Sequence, residues 1–299
     1  MPMVKNHTLR IGLITSLDTN IGDDLIRRGI MSLLTECFAG RHIEWIPVNK
    51  HNPFSVFPKF HPVHWLRGLR RRTGFAGFSR LAEFSIRIIP VSRFDGCDLI
   101  IQCGAPVIWE QCYLCEWNRL IYQQTVGRLH ARIPFINLAM GGCYPCEQRP
   151  STIQLEEDKQ FVRSICHYSC MSTARDALTH DLITGLGCQC SLLPCTAFLS
   201  GEIASELRED APILINYMEK GGHYDWGQDI DADQWETTVG RLAQCLSLEH
   251  LVRFLCHNEA ELDLARRVFP QYEAFLPASA GAYFEEVAHA KLGINNRLH

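Results

Sequence analysis

The sequence predicts an α/β fold made of two Rossmann-like halves that face each other across a cleft. Two observations carry this expectation. Short aliphatic runs alternate with longer amphipathic stretches from Leu9 onward, the pattern of a mostly parallel sheet covered on both faces. The alternation pauses near residues 200–210, where "SGEIASELREDAP" is polar and ends in proline, and then restarts. The expected boundaries are 1–205 for the N-terminal half, with an insertion near 51–94, and 206–299 for the C-terminal half.

Each element follows from local pattern. "LRIGLITS" is rich in aliphatics and reads as a buried first strand. "IGDDLIRRGIMSLLTECF" then sets Leu25, Ile26, Ile30, Leu33 and Leu34 on one helical face. "HIEWIPVN" is a second strand, and "CDLIIQCG", "PFINLAMGG", "YSCMSTA" and "CQCSLLP" are four more. In the second half, "ILINYM", "LVRFLCHN", "YEAFLPAS" and "AKLGIN" read as strands. The helices between them are "DADQWETTVGRLAQCLSLE", "EAELDLARRVF" and "AGAYFEEVAHA".

Composition narrows the function classes. With 29 Lys and Arg against 33 Asp and Glu, the chain lacks the basic field of a nucleic-acid binder. No apolar run approaches the roughly 20 residues of a membrane helix. The short apolar run near the start reads as a strand rather than a signal peptide, so a cytoplasmic protein is expected. Its 14 cysteines then point to buried thiols, a metal site or redox chemistry instead of disulfides.

The insertion carries "HWLRGLRRRTGF", with five arginines from Arg67 to Arg80 and aromatic residues among them. It reads either as a patch for an anionic lipid or phosphorylated acceptor, or as a solvated helix. Its "HPVH" histidines, His61 and His64, have no acidic or cysteine partner nearby in sequence.

Candidate site residues sit where strands hand over to helices. "TNIGDD" follows the first strand and opens a helix, where backbone N–H groups hold anions. Asn20 there binds a ligand or caps the helix, Gly22 provides a turn, and Asp23 with Asp24 suits the helix dipole while repelling a phosphate. "STARD" places Arg175 at the strand ends, as an anion ligand or as a surface ion pair with Asp176 or a neighbouring helix. "GINNRLH" repeats that geometry: Arg297 suits an anion and His299 a proton transfer, unless the segment is a polar tail. His257 lies between a strand and a helix, where it faces the cleft or caps with Asn258, and Lys220 and His223 lie in "MEKGGHYDWGQD".

Two CxxC pairs, Cys112 with Cys115 and Cys143 with Cys146, each follow a strand. If those strands are neighbours, the four thiolates meet at one sheet edge and suit zinc or an iron–sulfur cluster. The spacing is longer than that of a zinc ribbon, and chance pairing in a cysteine-rich chain is the other reading.

Taken in order, these pieces resemble the polysaccharide pyruvyl transferase family over nearly the whole chain. The family's N-x-G-D element matches "NIGD" at Asn20–Asp23, and its glycine-rich strand end matches "CGAPVIW", with Gly104. A second glycine strand end matches "AMGG", with Gly141 and Gly142. The R-D pair opening a helix, with a following "LG" and short strand, matches "TARDALTHDLITGLGCQCSLLPCTAF"; the R-L-H motif matches Arg297, Leu298 and His299.

The resemblance implies a GT-B-like fold and transfer of a pyruvyl group from phosphoenolpyruvate to saccharide hydroxyls, giving a ketal. It requires no cofactor. Its partners are phosphoenolpyruvate and a saccharide acceptor, free or lipid-linked, with no nucleic acid and no membrane span; an oligomer is compatible. Arg175 and Arg297 would hold the phosphate and carboxylate, and His299 would protonate the enol carbon or touch the phosphate. Asn20, Gly22, Asp23, Gly104, Gly141, Gly142 and His257 would line the substrate site.

There are departures. Cys195 in "PCTAF" stands where the family tends to an acidic residue, and the CxxC pairs are not part of its pattern. The family also continues past R-L-H, so the second domain is expected to be incomplete, with an exposed edge, reduced stability or a covering partner. The rival expectations are a zinc or iron–sulfur protein on this scaffold, a GT-B glycosyltransferase using a nucleotide sugar, and a non-catalytic binding protein.

Overall fold

A computed structural model describes residues 8–17, 21–104, 106–144, 149–201, 210–219 and 231–295. The chain divides into two units: Met1–Thr19 with Ile26–Ser200, and Asn20–Leu25 with Gly201–His299.

The first unit begins with β1 (Leu9–Thr15), α1 (Ile21–Cys37), whose first turn belongs to the second unit, and β2 (Ile43–Asn49). The insertion then folds as α2 (Pro62–Thr73) and α3 (Gly77–Ile88) before β3 (Leu99–Cys103) and β4 (Pro106–Ile108). A π-helical stretch over Asn118–Val126 runs into α4 (Gly127–Leu129). After it come β5 (Phe135–Gly142), α5 (Glu156–Tyr168), β6 (Met171–Ala174), α6 (Ala177–Gly185) and β7 (Ser191–Leu192). The strands form one parallel sheet in the order β2-β1-β3-β5-β6-β7, with β4 paired to β5.

Period-two burial covers both faces of this sheet. Leu9, Ile11 and Leu13 of β1 pack with Ile26, Ile30 and Leu34 of α1. Ile14, Val48 and Ile100 turn to the other face, into a larger core that also takes in Phe161 and Ile165 of α5. The chain reverses direction between β1 and β3, so the switch point of this doubly wound sheet lies there.

The second unit holds β8 (Ile213–Ile215), α7 (Ala232–Leu246), β9 (Val252–Leu255), α8 (Glu259–Val268), β10 (Glu273–Phe275), α9 (Ala280–Ala288) and β11 (Leu292–Ile294). Its sheet is parallel, in the order β10-β9-β8-β11, with its own switch point between β8 and β11. Ile213, Ile215 and Phe254 face α7 and α8. Leu214 and Leu255 face Tyr283, with Ile21 packed beside them.

Two elements differ from the expectation. β4 has no counterpart in the sequence reading, because three residues that begin with proline leave no alternation to read. "CQCSLLP" shrinks to the two residues of β7, whose Leu192 and the following Leu193 are exposed at the sheet edge.

Candidate functional site

In a parallel sheet every strand delivers its last residue to the same edge, and the loops there form the site. At that edge of the first sheet lie Ser16 after β1, Gly104 after β3, Gly141 and Gly142 ending β5, and Arg175 after β6. Gly104 adopts φ +54°, and a Cβ on it would come within 2.5 Å of Ile26 Cγ2. Only glycine lets α1 approach this strand end. Its carbonyl accepts from Gln102 Nε2 at 2.6 Å, and the Tyr122 hydroxyl donates to Gln102 Oε1.

Arg175 is brought to the edge by two features of β5. The strand carries a register shift between Asn137 and Met140, where Ala139 takes φ +55° and donates its N–H to Thr173 Oγ1 at 2.9 Å. Bulges of this kind re-aim the residues after them. Beyond it, a Cβ on Gly141 would stand 2.6 Å from Arg175 Nε and 2.7 Å from Nη2. The guanidinium therefore lies directly against the Gly141 backbone. Cys143 shares this corner: burial raises its thiol pKa and the nearby Arg175 charge lowers it, with a net rise.

Asp176 is the N-cap of α6. Its Oδ1 accepts from Thr179 N–H and its Oδ2 from Thr179 Oγ1, both at 2.8 Å. Asp23 and Asp24 lie buried in the first turn of α1, where the sequence places them for the dipole. Gly22, on the same turn, is also buried. Asn20, Lys220, His223, Arg297 and His299 lie outside the described residues.

Past the ends of β4 and β5 is a cavity of about 330 Å³, lined among others by Glu110, Tyr144, Arg149, Gln154 and Asp158. Asp158, buried, accepts N–H bonds from Gln111 at 2.8 Å and Tyr113 at 3.0 Å, and so pins the turn that holds Cys112. No sequence signal separates this aspartate from the other acids that open α5.

At the carboxyl edge of the second sheet, Asn216 follows β8 and His257 lies just beyond β9. Asn258 is the N-cap of α8, accepting from Glu261 N–H at 2.9 Å. The buried Glu261 carboxylate accepts from His257 N–H at 2.8 Å, Asn216 Nδ2 at 3.0 Å and Asn258 Nδ2 at 3.1 Å. The His257 ring shares a 2.7 Å hydrogen bond with the Tyr283 hydroxyl. Of this network the sequence reading names only His257 and Asn258. The Asn258–Glu261 spacing is a capping-box signal that points to Glu261, whereas Asn216 and Tyr283 join through the fold.

The strands that carry the CxxC pairs are neighbours, and Cys143 N–H donates to Ile108 O at 2.8 Å. Cys112 is buried in the core; burial pushes the Cys115 thiol up to about 12 and that of Cys112 higher. Cys146 lies outside the described residues. Among the described residues, no three His, Cys, Asp or Glu side chains gather as metal ligands. Cys166, Cys170, Cys188 and Cys190 instead line a cavity of about 400 Å³ beside the starts of β6 and β7, at the opposite edge from Arg175.

A family model described as polysaccharide pyruvyl transferase matches residues 20–299. The chain belongs to that family. This marks it as a polysaccharide-modifying transferase, and it agrees with the two parallel α/β sheets. Gly104, Gly141, Gly142 and Arg175 fall on one sheet edge, while His257 falls on the equivalent edge of the second sheet. Among the described residues, no helix of this pyruvyl transferase family member is long and apolar enough to cross a membrane.

Solved structures that align with the chain include the E. coli heptosyltransferase WaaC with ADP-2-deoxy-2-fluoro heptose, at 12% identity and TM-score 0.36, covering 96% of this chain and 82% of that one. A Listeria monocytogenes protein designated a UDP-N-acetylglucosamine 2-epimerase aligns at 8% identity and TM-score 0.49, over 98% and 75%. A family 9 glycosyl transferase from Veillonella parvula aligns at 12% and 0.37, over 96% and 75%. A search of curated proteins returns no match.

Proposed function

We propose that the chain transfers a pyruvyl group from phosphoenolpyruvate to two hydroxyls of a saccharide, free or lipid-linked, forming a cyclic ketal. The single observation that supports this most is Arg175 lying against the Gly141 backbone at the carboxyl edge of the first sheet. A planar guanidinium presents paired N–H donors to a phosphate or carboxylate, and phosphoenolpyruvate carries both.

The reaction balances as follows. C3 of phosphoenolpyruvate gains a proton and becomes a methyl group, which makes C2 electrophilic. Two hydroxyl oxygens bond to C2, and the bond from C2 to the phosphate oxygen breaks. The two hydroxyl protons offset the one taken up at C3 and the one carried away by phosphate. In this reading Arg175 and Arg297 hold the anionic groups and His299 supplies the proton to C3, the latter two by their place in the R-L-H motif. Asn20 and Asp23 are assigned to the acceptor or to ordering the loop after β1. The thirteen described cysteines are free thiols, a state that suits the reducing cytoplasm where this reading places the reaction.

The test is calorimetric titration with phosphoenolpyruvate. Saturable binding that Arg175→Ala abolishes is expected. Binding of equal affinity in Arg175→Ala removes the assignment.

A further inference from the structure

The insertion that links β2 to β3 presents an unusual surface. Its helices pack on one another and bury Val63 and Leu66 of α2 and Ala82 and Ile86 of α3. A surface helix of a globular protein needs one apolar stripe. α3 has two. At 3.6 residues per turn, Leu81, Phe84 and Ile88 share the side opposite Ala82 and Ile86. Phe60, Trp65 and Phe75 of the same segment are exposed as well, and the six side chains are 50–81% exposed.

The charge of the hairpin is equally lopsided. From His51 to Val91 the chain has seven Lys and Arg and one carboxylate, Glu83, a net of +6 in a protein whose total is −4. Arg80 and Arg87 border the outer stripe of α3, and Arg70, Arg71 and Arg72 crowd the last turn of α2, all exposed. Exposed Trp, Phe and Leu interleaved with arginine are the side-chain set of helices that lie in a bilayer interface.

We propose that the α2–α3 hairpin docks on the surface of an anionic phospholipid bilayer, its outer aromatic and aliphatic side chains entering the headgroup boundary and its arginines meeting lipid phosphates. Two alternatives fit less well. A second copy of the chain would present the same positive surface and repel it. A free phosphate would engage the arginines but leave the aromatic side chains in water. The inference does not depend on the pyruvyl reading.

The experiment is co-sedimentation of the full chain with phosphatidylcholine vesicles, with and without roughly one third phosphatidylglycerol. Binding to the anionic vesicles should exceed that to the neutral ones by about tenfold or more. It should fall by a similar factor in Trp65→Ser/Phe84→Ser and in Arg70→Gln/Arg71→Gln/Arg72→Gln. All five positions are exposed, so far-UV circular dichroism should be unchanged. If the serine pair disturbs the helices, Phe60→Ser, outside both of them, carries the same test. Equal binding to both vesicle types, no binding, or unchanged binding in the variants overturns the proposal. So does displacement by inorganic phosphate at constant ionic strength, which would mark a free-phosphate site.

Discussion

At the carboxyl edge of the first sheet a guanidinium lies against bare backbone, because Gly141 has no side chain to hold it off. At the same edge of the second sheet, polar side chains close on one another around Glu261. The first edge is shaped by what its strand ends leave out: with no side chain on Gly141, a charged group lies over backbone. The second is shaped by side chains that gather on one carboxylate: Glu261 accepts from the Asn216 amide, the Asn258 amide and the His257 N–H. The lesson is that two parallel sheets can finish their equivalent edges differently, one with a gap that admits a guanidinium to the backbone and one with a carboxylate that gathers N–H donors.

The sharpest way to break this comparison is to fill the gap at Gly141. Gly141→Val should push the Arg175 guanidinium off the backbone and lower phosphoenolpyruvate affinity about a hundredfold, the scale of losing a desolvated charge pair. Its effect should match that of Arg175→Ala. A Gly141→Val variant that stays folded and titrates like the wild type would show that the cradle does not matter.

Glu261→Ala is the counterpart at the second edge. It leaves the Asn216 amide and the His257 N–H without their carboxylate in a buried site. A loss of about 2–3 kcal/mol in urea unfolding is expected. A change within error would mean that water replaces the carboxylate at no cost and that the network is not closed.

Cap removal at the first edge should cost less. Asp176→Ala takes away both bonds to Thr179 and is expected to destabilise by about 1 kcal/mol. If it weakened phosphoenolpyruvate binding as strongly as Arg175→Ala, the aspartate would have to act on the ligand rather than on α6.

Thiol labelling compares the two edges most gently. Cys256 follows β9 and is fully buried; burial and the nearby Glu261 push its thiol up to about 12. At Cys143 the Arg175 charge opposes burial, and the residue is half-buried. Both groups are raised, so both are protonated thiols at neutral pH and gain reactivity as pH rises. Cys143 should alkylate at least about tenfold faster than Cys256. The Cys256 rate should still be climbing above pH 10, where an ordinary thiol has levelled off. Equal rates would place the two edges in similar surroundings.

Much of the architecture is legible in the chain itself. A buried parallel strand needs aliphatic residues on both faces, so "LRIGLIT" and "LIIQC" announce themselves, and the helices between them show their 3.6-residue stripes. Arg175 and the glycines of "AMGG" are picked out because they end strands. Asp176 stays ambiguous in the sequence, since a cap and a salt-bridge partner look alike until the helix start is known. Asp158, Asn216 and Tyr283 are silent in sequence, because each acquires its role from a segment at least 26 residues away.

The sequence by itself determined the two parallel sheets, their helices and the family, because periodic burial and motif order are local or ordered along the chain. Only the tertiary structure decided which residues share an edge. It put Gly141 beneath Arg175, Glu261 between Asn216 and His257, and four cysteines outside both CxxC pairs around one cavity. The reason is that strand order across a sheet is not strand order along the chain: β1 lies beside β3, and β8 beside β11, through crossovers that no local pattern records.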